Sequence, residues 1–168
     1  VALPIAKSSL EKIDKIQILA CGTSRHAAMV GAYLLEQFAG VPTNVYFASE
    51  FRYSPPPVSP NTLTIGVSQS GETADTLAAL RMEKDRRDSI KDPNFYFHKL
   101  GITNRVDSSL AREMDNVIDI GSGIEIGVAA TKTFLGQMLS FYGLTMLFAA
   151  HKQNRTTQEI LDLSNDLR

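Results

Sequence analysis

Short, unbroken apolar runs alternate along the chain with longer segments whose apolar positions recur every three or four residues. Residues 15–21, from Lys15 to Cys21, are apolar and β-branched and are closed by Gly22, a pattern that predicts a buried strand. Over 24–38, Ala27, Ala28, Val30, Leu34, Leu35 and Phe38 fall on helical spacing, with Gly40 as a stop and Pro42 just beyond. Residues 45–48 read as a second strand, 54–60 as a proline-rich loop and 62–67 as a third strand. The grammar then repeats, with Ser68-Gln69-Ser70-Gly71-Glu72-Thr73 leading into a helix over 72–86. Residues 85–99 hold no clear period and read as an irregular surface excursion. Strands follow at 100–103 and 117–120, with a short helix at 108–114 between them, a long helix at 128–151 and a last one at 156–168.

Strands alternating with helices imply right-handed crossovers and a parallel sheet, and the continuous apolar character of the strands fits a sheet covered on both faces. The expected fold is α/β: a three-layer α/β/α sandwich around a five-stranded parallel sheet. The organisation reads as a lead-in over 1–14, one domain over 15–151, and a linker or helix over 152–168. In open sheets of this kind ligands bind at the carboxyl ends of the strands, where helix N-termini gather.

Composition narrows the function. With 17 Lys and Arg against 18 Asp and Glu, the chain lacks the basic excess that drives nucleic-acid binding. Its 43% hydrophobic and 21% charged residues belong to a folded domain rather than a disordered one. Cys21 is the only cysteine, so no intrachain disulfide forms, four-cysteine zinc sites are excluded, and a cytoplasmic location is the default expectation. The greasiest segment, 134–150, is interrupted by Gln137 and Ser140 and falls short of the ~20 apolar residues of a membrane span, so no membrane partner is expected. Nothing at the start reads as a signal peptide, and the first residue, Val1, with the polar tail, gives the expectation of a piece of a longer chain.

The unusual chemistry lies at the strand ends. Ser68, Gln69, Ser70 and Thr73 put four polar side chains between a buried strand and a first helical turn, where free N–H groups and the helix dipole favour an anion such as a phosphate. Gly71 allows close backbone approach or a positive φ. Thr23 and Ser24, after Cys21-Gly22, form a smaller copy of the arrangement, although two hydroxyls before a helix are more often an ordinary cap. A Walker loop is absent, and the glycines at 121, 123 and 127 miss the dinucleotide spacing by one residue, so no nucleotide cofactor is expected. A serine-nucleophile elbow fails at Ser70, where it needs glycine. His26 reads as a helical histidine and Cys21 as a small buried residue; Glu125 and Lys132 bracket the Val128 turn, where surface or interdomain ion pairing is favoured over approach to a ligand. No convincing acid–base pair emerges.

Four segments in order, Cys21-Gly22-Thr23-Ser24, Ala48-Ser49-Glu50-Phe51-Arg52-Tyr53, Ser68 through Leu77, and Glu125 through Lys132, closely resemble the first sugar-isomerase (SIS) domain of the glutamine:fructose-6-phosphate amidotransferases. The resemblance spans about 16–150 and implies a flavodoxin-like SIS fold. It further implies that Ser68, Gln69, Ser70 and Thr73 bind phosphate, that Thr23 and Ser24 contact the sugar phosphate, and that Val128 and Ala130 lie beside the sugar. At Ala130 the family usually has serine. Between 81 and 101 the chain is longer than the family by roughly eight residues, as loops allow.

The full enzymes of that family carry a glutaminase domain and two SIS domains and make glucosamine 6-phosphate from fructose 6-phosphate and glutamine in amino-sugar biosynthesis. Their acid–base glutamate, lysine and histidine belong to the second SIS domain, so the resemblance implies no catalytic residue, metal or cofactor in this chain. The partners it implies are fructose 6-phosphate and glucosamine 6-phosphate, the other two domains of the same polypeptide, and a second copy in a homodimer. A phosphosugar-sensing SIS module of a regulator is the alternative; an upstream helix-turn-helix would mark it.

Overall fold

The apolar runs become the strands of one parallel sheet. The computed structural model describes residues 5–127, 130–152 and 156–166. In chain order these are α1 (Lys7–Lys12), β1 (Lys15–Ala20), α2 (Gly22–Ala39), β2 (Thr43–Phe47), α3 (Ala48–Phe51), β3 (Thr62–Ser68), α4 (Ala74–Asp88), β4 (Phe97–Thr103), α5 (Ser109–Glu113), β5 (Asn116–Asp119), α6 (Lys132–Lys152) and α7 (Thr157–Asp166). The strand order is β2-β1-β3-β4-β5, with every pair parallel. This doubly wound order reverses direction between β1 and β3, the place where such sheets open a crevice at their carboxyl ends.

Alternation within each strand sorts the core into two layers. Ile16, Ile18 and Ala20 of β1 join Leu10, Leu35, Phe141, Leu144, Phe148 and Leu163 on one face, so α1, α2, α6 and α7 cover that side. Leu19 turns the other way, toward Phe51, Leu77, Leu80 and Leu110 of α3, α4 and α5. The three-layer sandwich of the sequence reading is therefore the observed one. On the first face α2 and α6 come close: a Cβ on Gly31 would stand 2.3 Å from Cγ of Phe141, so glycine is required where the helices meet.

Four local expectations need correction. The stretch read as irregular over 85–99 continues α4 to Asp88 and begins β4 at Phe97. Arg87 explains the first extension: its guanidinium is 2% exposed, lies 2.6 Å from Oε1 of the equally buried Glu83, and donates to the carbonyl of Ser59 at 2.8 Å. Gln17 of β1 donates to the same Glu83 oxygen at 2.6 Å and to Thr64 at 2.9 Å, so a polar knot fastens α4 to the sheet and to the proline-rich loop. The long helix starts at Lys132 rather than at 128. The short α1 and α3, unforeseen, bury Leu10, Ala48 and Phe51. Finally, α6 is by length and composition apolar enough to cross a membrane; its fully buried Phe141, Leu144, Phe148 and Ala149 account for that as the inner face of a core helix.

Candidate functional site

The crevice at the sheet reversal is flanked by the two turns that the sequence marks. After β3 the chain makes a tight loop whose shape is set by Gly71, at φ +66°. A Cβ there would meet Oγ of Ser108 at 2.0 Å, so both the left-handed backbone and the lack of space demand glycine. The loop is secured by hydrogen bonds from the backbone N–H of Asn104 to the Gln69 carbonyl, 3.1 Å, and from Leu110 N–H to the Gly71 carbonyl, 3.0 Å. Glu72 turns away to accept from Ser109 N–H at 2.7 Å, which holds its carboxyl below the usual range and removes it from the crevice.

Ser68 and Thr73 face each other across this loop. Oγ of Ser68 lies 2.8 Å from Oγ1 of Thr73 and accepts from Gly71 N–H at 3.0 Å. When Ser68 donates to Thr73, the Thr73 hydrogen is left to point outward, so a buried serine prepares a half-exposed hydroxyl as a donor. Thr73 is also the N-cap residue of α4, and its side chain makes no cap bond to that helix. Its first N–H groups and its dipole thus remain open to an anion. Ser70 is exposed, and among the described residues its hydroxyl accepts only from Glu72 N–H, at 3.2 Å.

Across the crevice, Cys21 is the N-cap residue of α2 and again supplies no side-chain cap bond. Thr23 is half-buried, with no hydrogen-bond partner for its hydroxyl among the described residues. Ser24 Oγ accepts from Nε2 of Gln137 at 2.9 Å. The Cys21 sulfur lies 4.0 Å from the Thr76 hydroxyl of α4 and packs against the cluster that holds Leu77 and Leu80, and His26 is exposed on α2. Gln137, 1% exposed, is a supporting residue the sequence reading passed over; its one signal was a polar position interrupting the apolar run of α6.

The β5–α6 connection closes the third side. Ala130 is half-buried beside Thr131, while Val128 lies outside the described residues. In place of the expected surface or interdomain ion pairing, Glu125 caps α6. Its Oε1 accepts from Thr131 N–H (3.0 Å), Lys132 N–H (2.8 Å) and the Thr131 hydroxyl (2.8 Å), while Oε2 accepts from Thr133 N–H (3.3 Å) and the Thr133 hydroxyl. The Thr133 hydroxyl first, then those of Thr131 and the backbone donors, outweigh desolvation and hold the carboxyl at about 2 against an ordinary 4.5. Nε2 of Gln69 reaches the same carboxylate at 3.3 Å. A cleft of about 620 Å³ lies here, lined by Gln69, Ser70, Asn104, Arg105, Gly123 and Glu125 among others.

Of the eight residues singled out from the sequence, Val128 lies outside the described residues and the other seven fall into three groups. Ser68, Gln69, Ser70 and Thr73 share one loop; Thr23 and Ser24 stand at the neighbouring strand end; and Ala130 belongs to the segment tied to Gln69 through Glu125. Hydroxyls, an amide and uncapped helix N-termini converge, and Arg105, which lines the adjoining cleft, is already paired with Asp107 at 3.0 Å, an arrangement suited to holding a small anion mainly by neutral donors.

The family profile described as SIS domain matches residues 9–147. The chain is 54% identical over all 168 residues to the glutamine–fructose-6-phosphate aminotransferase [isomerizing] of Thermosynechococcus vestitus, and 54% identical over 158 residues to that of Synechocystis sp.. It spans about a quarter of their length, 27% and 25%. Among solved structures, the C-terminal domain of glucosamine-fructose-6-phosphate aminotransferase from Francisella tularensis superposes with a TM-score of 0.86 at 40% identity, covering 99% of this chain and 45% of that one.

Proposed function

The chain belongs to the SIS domain family, and on that premise we propose that it is the phosphosugar-binding first SIS domain of a glutamine:fructose-6-phosphate aminotransferase. In this reading Ser68, Gln69, Ser70 and Thr73 hold the phosphate of fructose 6-phosphate or glucosamine 6-phosphate, Thr23 and Ser24 contact the sugar phosphate, and Val128 and Ala130 lie beside the sugar. The supporting observation is the facing pair of Ser68 and Thr73 at the uncapped start of α4, beside the reversal of the sheet.

The whole enzyme forms glucosamine 6-phosphate and glutamate from fructose 6-phosphate and glutamine for amino-sugar synthesis. Its remaining parts, a glutaminase domain and a second SIS domain, lie elsewhere on the same polypeptide, with 15–151 as the domain proper and 152–168 leading toward the second unit. The relatives' greater length supports this division. Assembly as a cytoplasmic homodimer completes the proposal; Leu135 and Leu139, 60% and 70% exposed beside an apolar cleft of about 770 Å³, offer a face for a neighbouring unit.

In this reading the chain supplies binding and no turnover, because the acid–base glutamate, lysine and histidine of the family belong to the second SIS domain. Titration of the chain with fructose 6-phosphate, followed by NMR, is expected to shift the amides of residues 68–73 and 23–24 without forming glucose 6-phosphate. Robust isomerisation by this chain, or the absence of shifts in those loops, would overturn the reading.

A further inference from the structure

A serine or threonine hydroxyl turns its hydrogen toward an anion at little cost, but a glutamine amide must choose which end to present. Its N–H attracts a phosphate oxygen and its carbonyl repels one. In the loop after β3 that choice falls on Gln69, and the neighbouring segment makes it. We propose that Glu125 is a positioning residue for Gln69, holding the amide with its nitrogen toward the crevice and tying the β3–α4 loop to the start of α6.

The argument begins with what each group can do. Nε2 of Gln69 lies 3.3 Å from Oε2 of Glu125 and 3.5 Å from the Glu125 carbonyl. Both neighbours only accept, so the amide oxygen is excluded from that position and the nitrogen stays. The 3.5 Å contact to the carbonyl lies at the outer limit of a hydrogen bond, so one hydrogen of the NH2 group serves the Glu125 side and the other is left for a ligand oxygen. Polarisation by a carboxylate also makes that second hydrogen a stronger donor.

A carboxylate beside a phosphate site would ordinarily repel the ligand. Here Glu125 is surrounded by the N–H groups of Thr131, Lys132 and Thr133 and by two threonine hydroxyls, with the positive end of α6 behind them. Its charge is largely answered by these donors. Capping α6 would explain the bonds to residues 131–133, but the reach of Oε2 to a residue on another loop is not needed for a cap.

The inference rests on the reading that Gln69 donates to phosphate, and a double-mutant cycle separates the two. Affinity for fructose 6-phosphate is measured calorimetrically in the full native polypeptide for wild type, Glu125→Gln, Gln69→Ala and the double variant. Glu125→Gln keeps the shape but sets an NH2 group against donors. It is expected to weaken binding about tenfold in the wild-type background and to add nothing in the Gln69→Ala background. Equal losses in both backgrounds, or none in either, would overturn the positioning role. Where Glu125→Gln fails to fold, Glu125→Asp, which is too short to span both contacts, is read in the same cycle. Ser68→Ala judges the phosphate site itself: weaker binding there without coupling between Glu125 and Gln69 removes only this inference, whereas unchanged affinity removes the site assignment as well.

Discussion

Oγ of Ser68 and Oγ1 of Thr73 stand 2.8 Å apart, one at the buried end of β3 and the other at the open N-cap of α4. This pair orients the donor on which the proposed phosphate site depends. Ser68→Ala leaves the buried Gly71 N–H without its acceptor and frees the Thr73 hydroxyl to rotate. The expected loss is about 1–3 kcal/mol of phosphosugar affinity, the usual cost of removing a donor system to a charged group. Thr73→Val removes the donor itself and should cost a similar amount; calorimetry with fructose 6-phosphate measures both, and unchanged affinity in the two variants contradicts the site.

Gly71→Ala is expected to be worse for the fold than for any single contact. The added methyl would sit in a left-handed backbone at φ +66° and 2.0 Å from the Ser108 oxygen. Relief requires moving either the loop or the start of α5, at a cost of about 2 kcal/mol or more. Urea unfolding measures the loss, and a midpoint equal to wild type would show that the loop relaxes freely.

The polar knot under α4 predicts a contrast between two acidic residues separated by little sequence. Burial pushes the Arg87 guanidinium down while Glu83 pulls it up, and the pair is sealed from solvent. Glu83→Ala leaves that cation unpaired and should destabilise by about 3–5 kcal/mol. Asp88→Ala breaks the Lys84–Asp88 pair, both of whose side chains are more than two-fifths exposed, and should cost below about 1 kcal/mol. Comparable losses in chemical denaturation would mean that Arg87 finds water or another partner.

Acid titration tests the cap of α6. Glu125 is held at about 2 in the folded chain against an ordinary 4.5. A carboxylate with a depressed folded pKa contributes its stabilisation fully above the unfolded value and loses it as pH falls through the folded one. The stability difference between wild type and Glu125→Gln should therefore be constant from neutral pH down to about 4.5, shrink below that, and vanish near 2. Circular dichroism of unfolding across this range reads it, and a pH-independent difference would assign the effect to packing.

Legibility in the sequence followed the range of the forces. The strands were readable because both faces of a central parallel strand are buried; Thr62–Ser68 is buried at every position, and so shows as an unbroken run. The first residues of β4, Phe97 to Lys99, are only half-buried and include His98 and Lys99, so their pattern resembles a surface loop. Helix α1 has too few residues to show a period and exists through the burial of Leu10 against the core. In the site, the hydroxyl-rich loop announced itself because its donors are adjacent in sequence. Glu125 did not, since it caps a helix from several residues upstream, beyond the spacing of a local capping box.

The contact between Gly31 and Phe141 bears on how the crevice can respond to a ligand. With no side chain on Gly31, the Phe141 ring seats directly against the α2 backbone and holds the two helices face to face, and Ser24 and Gln137 are carried on that same pair. The two sides of the opening that these helices present form a fixed jaw. The loop after β3 is tied down as well, by the N–H groups of Asn104 and Leu110 and by Glu125, so the opening keeps one width, as a gauge cut to a single size does.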